Sequence, residues 1–239
     1  MIDIRRANER FHTQIGWLDS WHSFSFGEHY DPDNLQHGLL RVLNDDIVSP
    51  GMGFGRHPHR DMEIVTWVLD GELEHTDSEG NRGVIYPGLA QRMSAGSGIF
   101  HSEMNHSKTK PVRLIQMWVM PDTLSIQPGY EQKDINKEMA RGGLVPIASG
   151  QGHENAVKIH QKGAVLWGGR LKPGETVNVP ESHKAHVFIA KGSAALSGRG
   201  GNSELLKEGD AARLTEESAL HLTAAPQSAA EVLIWQLGK

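Results

Sequence analysis

Residues 62–75 read MEIVTWVLDGELEH. β-Branched and aromatic residues fill the first part, and Asp70-Gly71 interrupts them. The stretch therefore predicts two short strands hinged by a hairpin turn. The pattern continues outward on both sides. GLLRVLNDDIV (38–48) predicts a strand ending in a turn at Asn44-Asp45, and SEGNRG (78–83) predicts a turn. VIYPGLAQRMSAGSGIFHSEMN (84–105) predicts strands broken at Pro87-Gly88 and Gly96-Ser97-Gly98, and VRLIQMWVM (112–120) a strand buried on at least one face. Short strands at this spacing predict an antiparallel sandwich or barrel, an all-β fold.

The same order returns in LWGGRLKPGETVNV, AHVFIAKGSAALSG, ELLKEGDAARL, ALHLTA and EVLIWQL. Gly71 and Gly88 are 17 positions apart in the first half, and Gly192 and Gly209 are 17 apart in the second. Each half closes on an apolar strand with a tryptophan, Trp118 or Trp235. A duplicated fold follows. The expected division is a first domain over 1–122, a polar surface connector over 123–148 with one short helix around Asp134–Ala140, and a second domain over 149–239.

The 239 residues suffice for two units of roughly 100 residues each. Hydrophobic residues make up 38% and charged residues 22%, so a core is affordable. Net charge is -5 and no basic stripe runs along the chain, which argues against direct binding to nucleic acid. No run of eighteen apolar residues predicts a membrane span, and the polar start, MIDIRRANERFHTQIGW, has no secretory core. A cytoplasmic location is expected. There is no cysteine, so any metal must be held by nitrogen and oxygen.

Such a donor set is present. Residues 51–59 read GMGFGRHPH, and residues 98–105 read GIFHSEMN. His57 and His59 are two apart, as are His101 and Glu103, and on an extended chain i and i+2 share a face. Pro58 keeps the backbone at His57 extended. If the two segments are neighbouring strands, four ligands converge inside one barrel. Either pair alone reads as a solvated loop or a surface hydrogen bond. Two such pairs in one half, both beside strands and after Gly-rich turns, predict a metal site. Three imidazoles and a carboxylate suit one divalent transition ion per chain, from among Fe, Mn, Co, Ni, Cu and Zn. The net +1 left at such a site favours a monoanionic oxygen ligand such as an enolate or flavonolate. Phe54, Trp67, Met93 and Met117 are candidates for the pocket wall. His183, His186 and His221 have no such pairing and read as surface or core histidines. Trp17, Trp21, Phe24 and Phe26 read as packing.

Gly51-x5-His57-x-His59-x3-Glu63 resembles the first cupin motif, and Gly98-x2-His101-x3-Asn105 the end of the second. WLDSWHSFSF (17–26), HPHRDMEIVTWVLDGELEH (57–75) and MSAGSGIFHSEMNH (93–106) more closely resemble the pirin family. The resemblance implies a bicupin of two tandem jelly-roll-type barrels, the first metal-binding and the second degenerate. It implies His57, His59, His101 and Glu103 as ligands, with Fe(II) as the leading ion. Glu63 falls one residue early for the acidic ligand of most cupins and is expected to orient a ligand imidazole instead. Asn105 is expected near the site. The implied activity is quercetin 2,3-dioxygenase-type ring cleavage, with a flavonol-like substrate, dioxygen, and Glu103 as catalytic base. The alternative is an iron-dependent redox-sensing regulator that binds a transcription factor or metabolic enzyme. A cupin isomerase or lyase is a third reading.

Overall fold

The computed structural model describes residues 1–198 and 203–238. The first half runs through β1 (Ile2–Arg5), β2 (Phe11–Ile15), β3 (Leu18–His22), β4 (Leu40–Val48), β5 (Gly53–His59), β6 (Glu63–Asp70), β7 (Leu73–Asp77), β8 (Arg82–Ile85), β9 (Leu89–Ser94), β10 (Ile99–Asn105) and β11 (Val112–Val119). The passage between halves holds β12 (Gly129–Asp134) and the short helix α1 (Asn136–Met139). The second half holds β13 (Val145–Ser149), β14 (Val157–Lys158), β15 (Ala164–Leu171), β16 (Thr176–Asn178), β17 (Lys184–Lys191), β18 (Ser193–Ser197), β19 (Ser203–Lys207), β20 (Ala211–Thr215), β21 (His221–Ala224) and β22 (Ala230–Leu237). No described helix is long and apolar enough to cross a membrane.

Each half packs a seven-stranded sheet against a four-stranded one. The first pair is β12-β9-β6-β11-β4-β3-β2 with β5-β10-β7-β8, and the second is β1-β20-β17-β22-β15-β13-β14 with β16-β21-β18-β19. From β4 to β11 each strand has a counterpart from β15 to β22 in the same place. The fold is all-β, two tandem cupin barrels. Gly71, Gly88, Gly192 and Gly209 have φ of 81°, 89°, 75° and 83°. The repeated spacing therefore marks turn positions that only glycine adopts without strain.

Three expectations are corrected. Asp70-Gly71 is not a hairpin. β6 and β7 lie in different sheets, and Gly71 turns the corner between them, close against Pro111 and Val112. Asn44-Asp45 is not a turn either. β4 runs straight through it, and Asn44, Asp45 and Asp46 are all buried. The segment 123–148 is not simply a surface connector. β12 pairs with β9 at the edge of the first large sheet, and β13 begins inside the segment. β1, in turn, crosses to the second half and pairs with β20.

The two large sheets meet back to back over one shared core that includes Trp67, Met117, Phe188, Leu233 and Trp235. Trp67 Nε1 donates to Glu231 Oε1 at 2.7 Å, and Trp235 Nε1 points to Met117 Sδ at 3.3 Å. β6 is buried on both faces for this reason, one facing its own barrel and the other facing the second domain. Val177, Leu196, Leu206, Leu222 and Ala224 fill the second barrel with aliphatic carbon. The matching strands of the first barrel, β5, β7 and β10, carry histidines.

Candidate metal centre

β5 and β10 are antiparallel neighbours, with His101 opposite His57 and Ile99 opposite His59. Their backbones come very close at Gly53, where an added Cβ would collide with the Glu103 carbonyl and Met104 Cα. The register shifts between His101 and Glu103, so one more residue of β5 than of β10 fits into that interval. The result is a cluster of rings. His57 and His101 centroids are 4.4 Å apart, His57 and His59 4.8 Å, and His59 and His101 4.9 Å.

One ligand atom from each of His57, His59 and His101 lies within 4.8 Å of the others. A second triad of His75, His101 and Glu103 meets the same criterion. Three of the expected residues, His57, His59 and His101, thus meet in one group, and the fourth, Glu103, meets His101 in an overlapping group that adds His75. His75 was missed by the sequence reading. Its signal was the pair His75 and Asp77, again i and i+2, whose side chains hydrogen-bond at 3.1 Å.

Several features suit this cluster to a cation. His57 Nδ1 donates to the Gly55 carbonyl at 2.7 Å, which leaves Nε2 as the lone-pair nitrogen. His101 is 2% exposed, and neither of its ring nitrogens has a partner among the described residues. Buried polar atoms are rarely left so, and an ion with nitrogen preference answers both the geometry and the deficit. Burial, reinforced by neighbouring imidazoles, pushes His59 down to about 4 and His101 down to about 3. Both are neutral donors at physiological pH. Glu103 is buried, and its Oε2 accepts from Gln116 Nε2 at 2.8 Å while Trp118 Nε1 donates to Gln116 Oε1 at 3.1 Å.

A pocket of about 820 Å3 opens beside His57, His59 and Glu103. Trp17, Phe26, Phe54 and Trp118 supply its flat apolar walls, and Asp46 and His22 are among its polar lining. Phe54, one of the expected wall candidates, is among the residues lining this pocket. Trp17 and Phe26 also face this space, beyond the packing role expected of them. Asp46 reaches it because β4 continues past the expected turn. It is held by the Ser20 hydroxyl, and burial pushes its carboxyl up to about 7.

Other candidates lie elsewhere. Trp67 and Met117 face the second domain, on the opposite side of their strands from the pocket. Glu63 also faces the second domain. Its Oε2 accepts from Ser94 Oγ at 2.9 Å and from the His160 backbone N–H at 3.0 Å, so it orients no ligand imidazole. Asn105 is a loop clamp whose Nδ2 donates to the Val48, Ser49 and Lys110 carbonyls. Met93 packs with Ile64, Ala95 and Ile99 in a small cluster of the first barrel.

The buried imidazoles set an acid limit on the metal-free protein. Burial lowers His22, His37 and His186 as well as His59 and His101. Below about pH 6.5 the unfolded chain takes up protons that the folded chain refuses. Each such proton removes up to about 1.4 kcal/mol of stability per pH unit until the folded group itself titrates. The urea midpoint of the metal-free protein is expected to fall steadily from pH 7 to pH 5. A flat midpoint over that range would contradict the burial of these rings.

Comparison with known proteins gives a consistent result. The sequence profile described as Pirin matches residues 4–119, and that described as Quercetinase C-terminal cupin domain matches residues 146–237. The quercetin 2,3-dioxygenase of Escherichia coli K12 is 39% identical over 238 residues, covering 99% of each chain. A Mycobacterium tuberculosis relative, provisionally named a quercetin 2,3-dioxygenase, is 56% identical over 237 residues, covering 99% of this chain and 95% of its own. The crystal structure of the Escherichia coli protein YhhW superposes with a TM-score of 0.90 at 39% identity, covering 99% of this chain and 97% of that one. The nickel(II) complex of the same bacterial pirin gives 0.88 at 38% identity, covering 99% of both. With both halves matched and the fold shared end to end, the chain belongs to the pirin family.

Proposed function

We propose that this protein is a metal-dependent dioxygenase that opens the ring of a flavonol or a similar enolisable substrate, with His57, His59, His101 and Glu103 as the ligands of one divalent transition metal. The observation that carries the reading is the aromatic-walled pocket of about 820 Å3 beside the histidine cluster. A ring-sized ligand needs such a space, whereas a redox-sensing regulator does not. The names of the relatives support the same class of chemistry. The nickel(II) complex of the Escherichia coli pirin supports a first-row divalent ion, and Fe(II) and Ni(II) are the ions to load first.

When bound, the metal supplies Lewis acidity that makes a coordinated hydroxyl more acidic, and redox chemistry toward dioxygen. The chain's own part is positioning and proton transfer. The Gly55 carbonyl fixes the tautomer of His57. Trp118 holds Gln116, and Gln116 holds Glu103, so the carboxylate stays aimed at the cluster. Glu103 accepts the proton of the substrate hydroxyl. Trp17, Phe26, Phe54 and Trp118 enclose the planar ring and exclude water from one side. Asp46, in the same wall, offers a second carboxyl to ring hydroxyls farther from the cluster.

The test is dioxygen uptake on adding quercetin to protein reconstituted anaerobically with each metal in turn. Metal-dependent uptake with loss of the flavonol absorbance is expected, and Glu103→Ala should reduce it by at least ~100-fold. Absence of uptake with every ion, in protein shown to be fully loaded, would reject the dioxygenase and favour a regulator that acts through a protein partner.

A further inference from the structure

A second buried polar site lies between the domains, away from the histidine cluster. It is a cavity of about 20 Å3. Arg10 reaches it from the segment before β2, Ser23 from the end of β3, and His186 and Arg213 from the facing strands β17 and β20, where they are cross-strand partners. His186 is fully buried, and Ser23 and Arg213 are each 7% exposed. The Arg10 side chain is 9% exposed.

Every one of these side chains has an atom without a hydrogen-bond partner among the described residues: Arg10 Nη1, Ser23 Oγ, both ring nitrogens of His186, and Arg213 Nε. So many orphaned atoms around one small space are unusual in a folded protein. One charge is also left without a partner. Around the cavity, Arg5 pairs with Asp3, Arg6 pairs with Asp210 and Glu204, and Glu9, which also lines it, accepts from the Arg6 backbone N–H at 2.7 Å. Arg10 Nη1 lies 3.5 Å from Asp45 Oδ2, but that carboxylate already holds Arg113 through two bonds of 3.0 Å. Arg213 has no carboxylate partner among the described residues. Its Nη2 donates to the Ser23 carbonyl at 2.9 Å and to Asn34 Oδ1 at 2.7 Å, and its plane covers Phe24. A buried guanidinium without a counter-charge is costly.

We propose that this cavity binds one small monovalent inorganic anion of halide size, which closes the contact between the two domains. The missing counter-charge separates this from a buried water. A water would accept from Arg10 and Arg213 and donate to Ser23 Oγ and the lone-pair nitrogen of His186, but it would leave the Arg213 charge unbalanced. An anion accepts from the same side chains and also balances Arg213. The volume is about that of a single bound particle, so sulfate and phosphate do not fit. Since Arg10 and Ser23 come from the first half and His186 and Arg213 from the second, the ion acts as a clamp across the interface.

The test uses the metal-loaded full chain. In crystals grown in sodium bromide, an anomalous bromine peak is expected within hydrogen-bond distance of Arg213 Nε. In solution, replacing gluconate with chloride at constant ionic strength is expected to raise the melting temperature by about 2–4 °C. Sulfate should not reproduce this. Ser23→Ala, a mild change outside the histidine cluster, should raise the chloride midpoint about tenfold and leave metal content unchanged. Arg213→Met should abolish the chloride effect; if that variant does not fold, Ser23→Ala and the bromine peak still decide. No bromine peak in the cavity, or equal melting in chloride and gluconate, would assign the space to a water and overturn the proposal. A sulfate effect as large as that of chloride would overturn the size class.

Discussion

His101→Ala is expected to leave a folded protein that retains no divalent metal. His101 belongs to both donor triads, so its loss breaks each of them. It sits 4.4 Å from His57, 4.9 Å from His59 and 5.3 Å from His75, centroid to centroid. Changing a residue that only supports a ligand typically costs 10–100-fold in metal affinity, and loss of a central ligand should exceed ~100-fold. The metal-free fold should suffer far less. Removing the ring leaves a cavity, but it also removes two buried nitrogens that the protein does not satisfy. The readout is metal content after reconstitution and dialysis, together with the rise in melting temperature on adding metal. The wild type should show both and His101→Ala neither. Glu63→Gln is the internal control. Its carboxylate faces Ser94 and His160, so its metal content should match that of the wild type. Full metal occupancy in His101→Ala would remove the ligand assignment, and a metal-free Glu63→Gln would mean that the interface communicates with the site.

The contrast between His101 and Glu63 shows what the sequence could and could not express. Period-two spacing says that His57 shares a face with His59, and His101 with Glu103. That local rule, together with the antiparallel pairing of β5 and β10, brings three imidazoles together. The glycine spacing was equally legible, because positive φ at a turn is a local demand that few other residues meet. Which face of β6 looks into the barrel was not legible. Both faces are apolar, since one packs inside the barrel and the other against the second domain. Trp67 and Glu63 were misplaced for that reason, and Met117 because β11 is likewise buried on both faces. β12 was hidden differently. GYEQKD is a half-exposed edge strand, so its composition resembles a loop until its pairing with β9 is known. β1 could not be assigned to the second sheet because its partner, β20, lies more than 200 residues away.

The stretch Asn44-Asp45-Asp46 leads to the other large effect. Its composition is that of a turn, yet it forms the middle of a strand paired on both sides, by β3 and β11. Asp46 stands there held by the Ser20 hydroxyl, and Asp45 stands there because distant cations meet it. Asp45 accepts two bonds of 3.0 Å from Arg113, its neighbour across a diagonal on β11, and faces Arg10 at 3.5 Å. Arg10 in turn lies over Trp21 and Phe188, one ring from each domain. Asp45→Asn preserves the shape and deletes the charge. It leaves Arg10 buried with no carboxylate, while Arg113 keeps Glu208. Removing one partner from a buried ion pair costs about 3–5 kcal/mol, and the remaining Glu208 contact places this case near 3 kcal/mol. The check is the denaturant midpoint of Asp45→Asn, Arg113→Met and the double variant at neutral pH. The double variant should be more stable than the sum of the two single losses predicts, because no stranded charge remains between those partners. If Asp45→Asn costs under about 1 kcal/mol, the carboxylate behaves as an ordinary surface partner, and the buried charge network would not be what permits this polar strand.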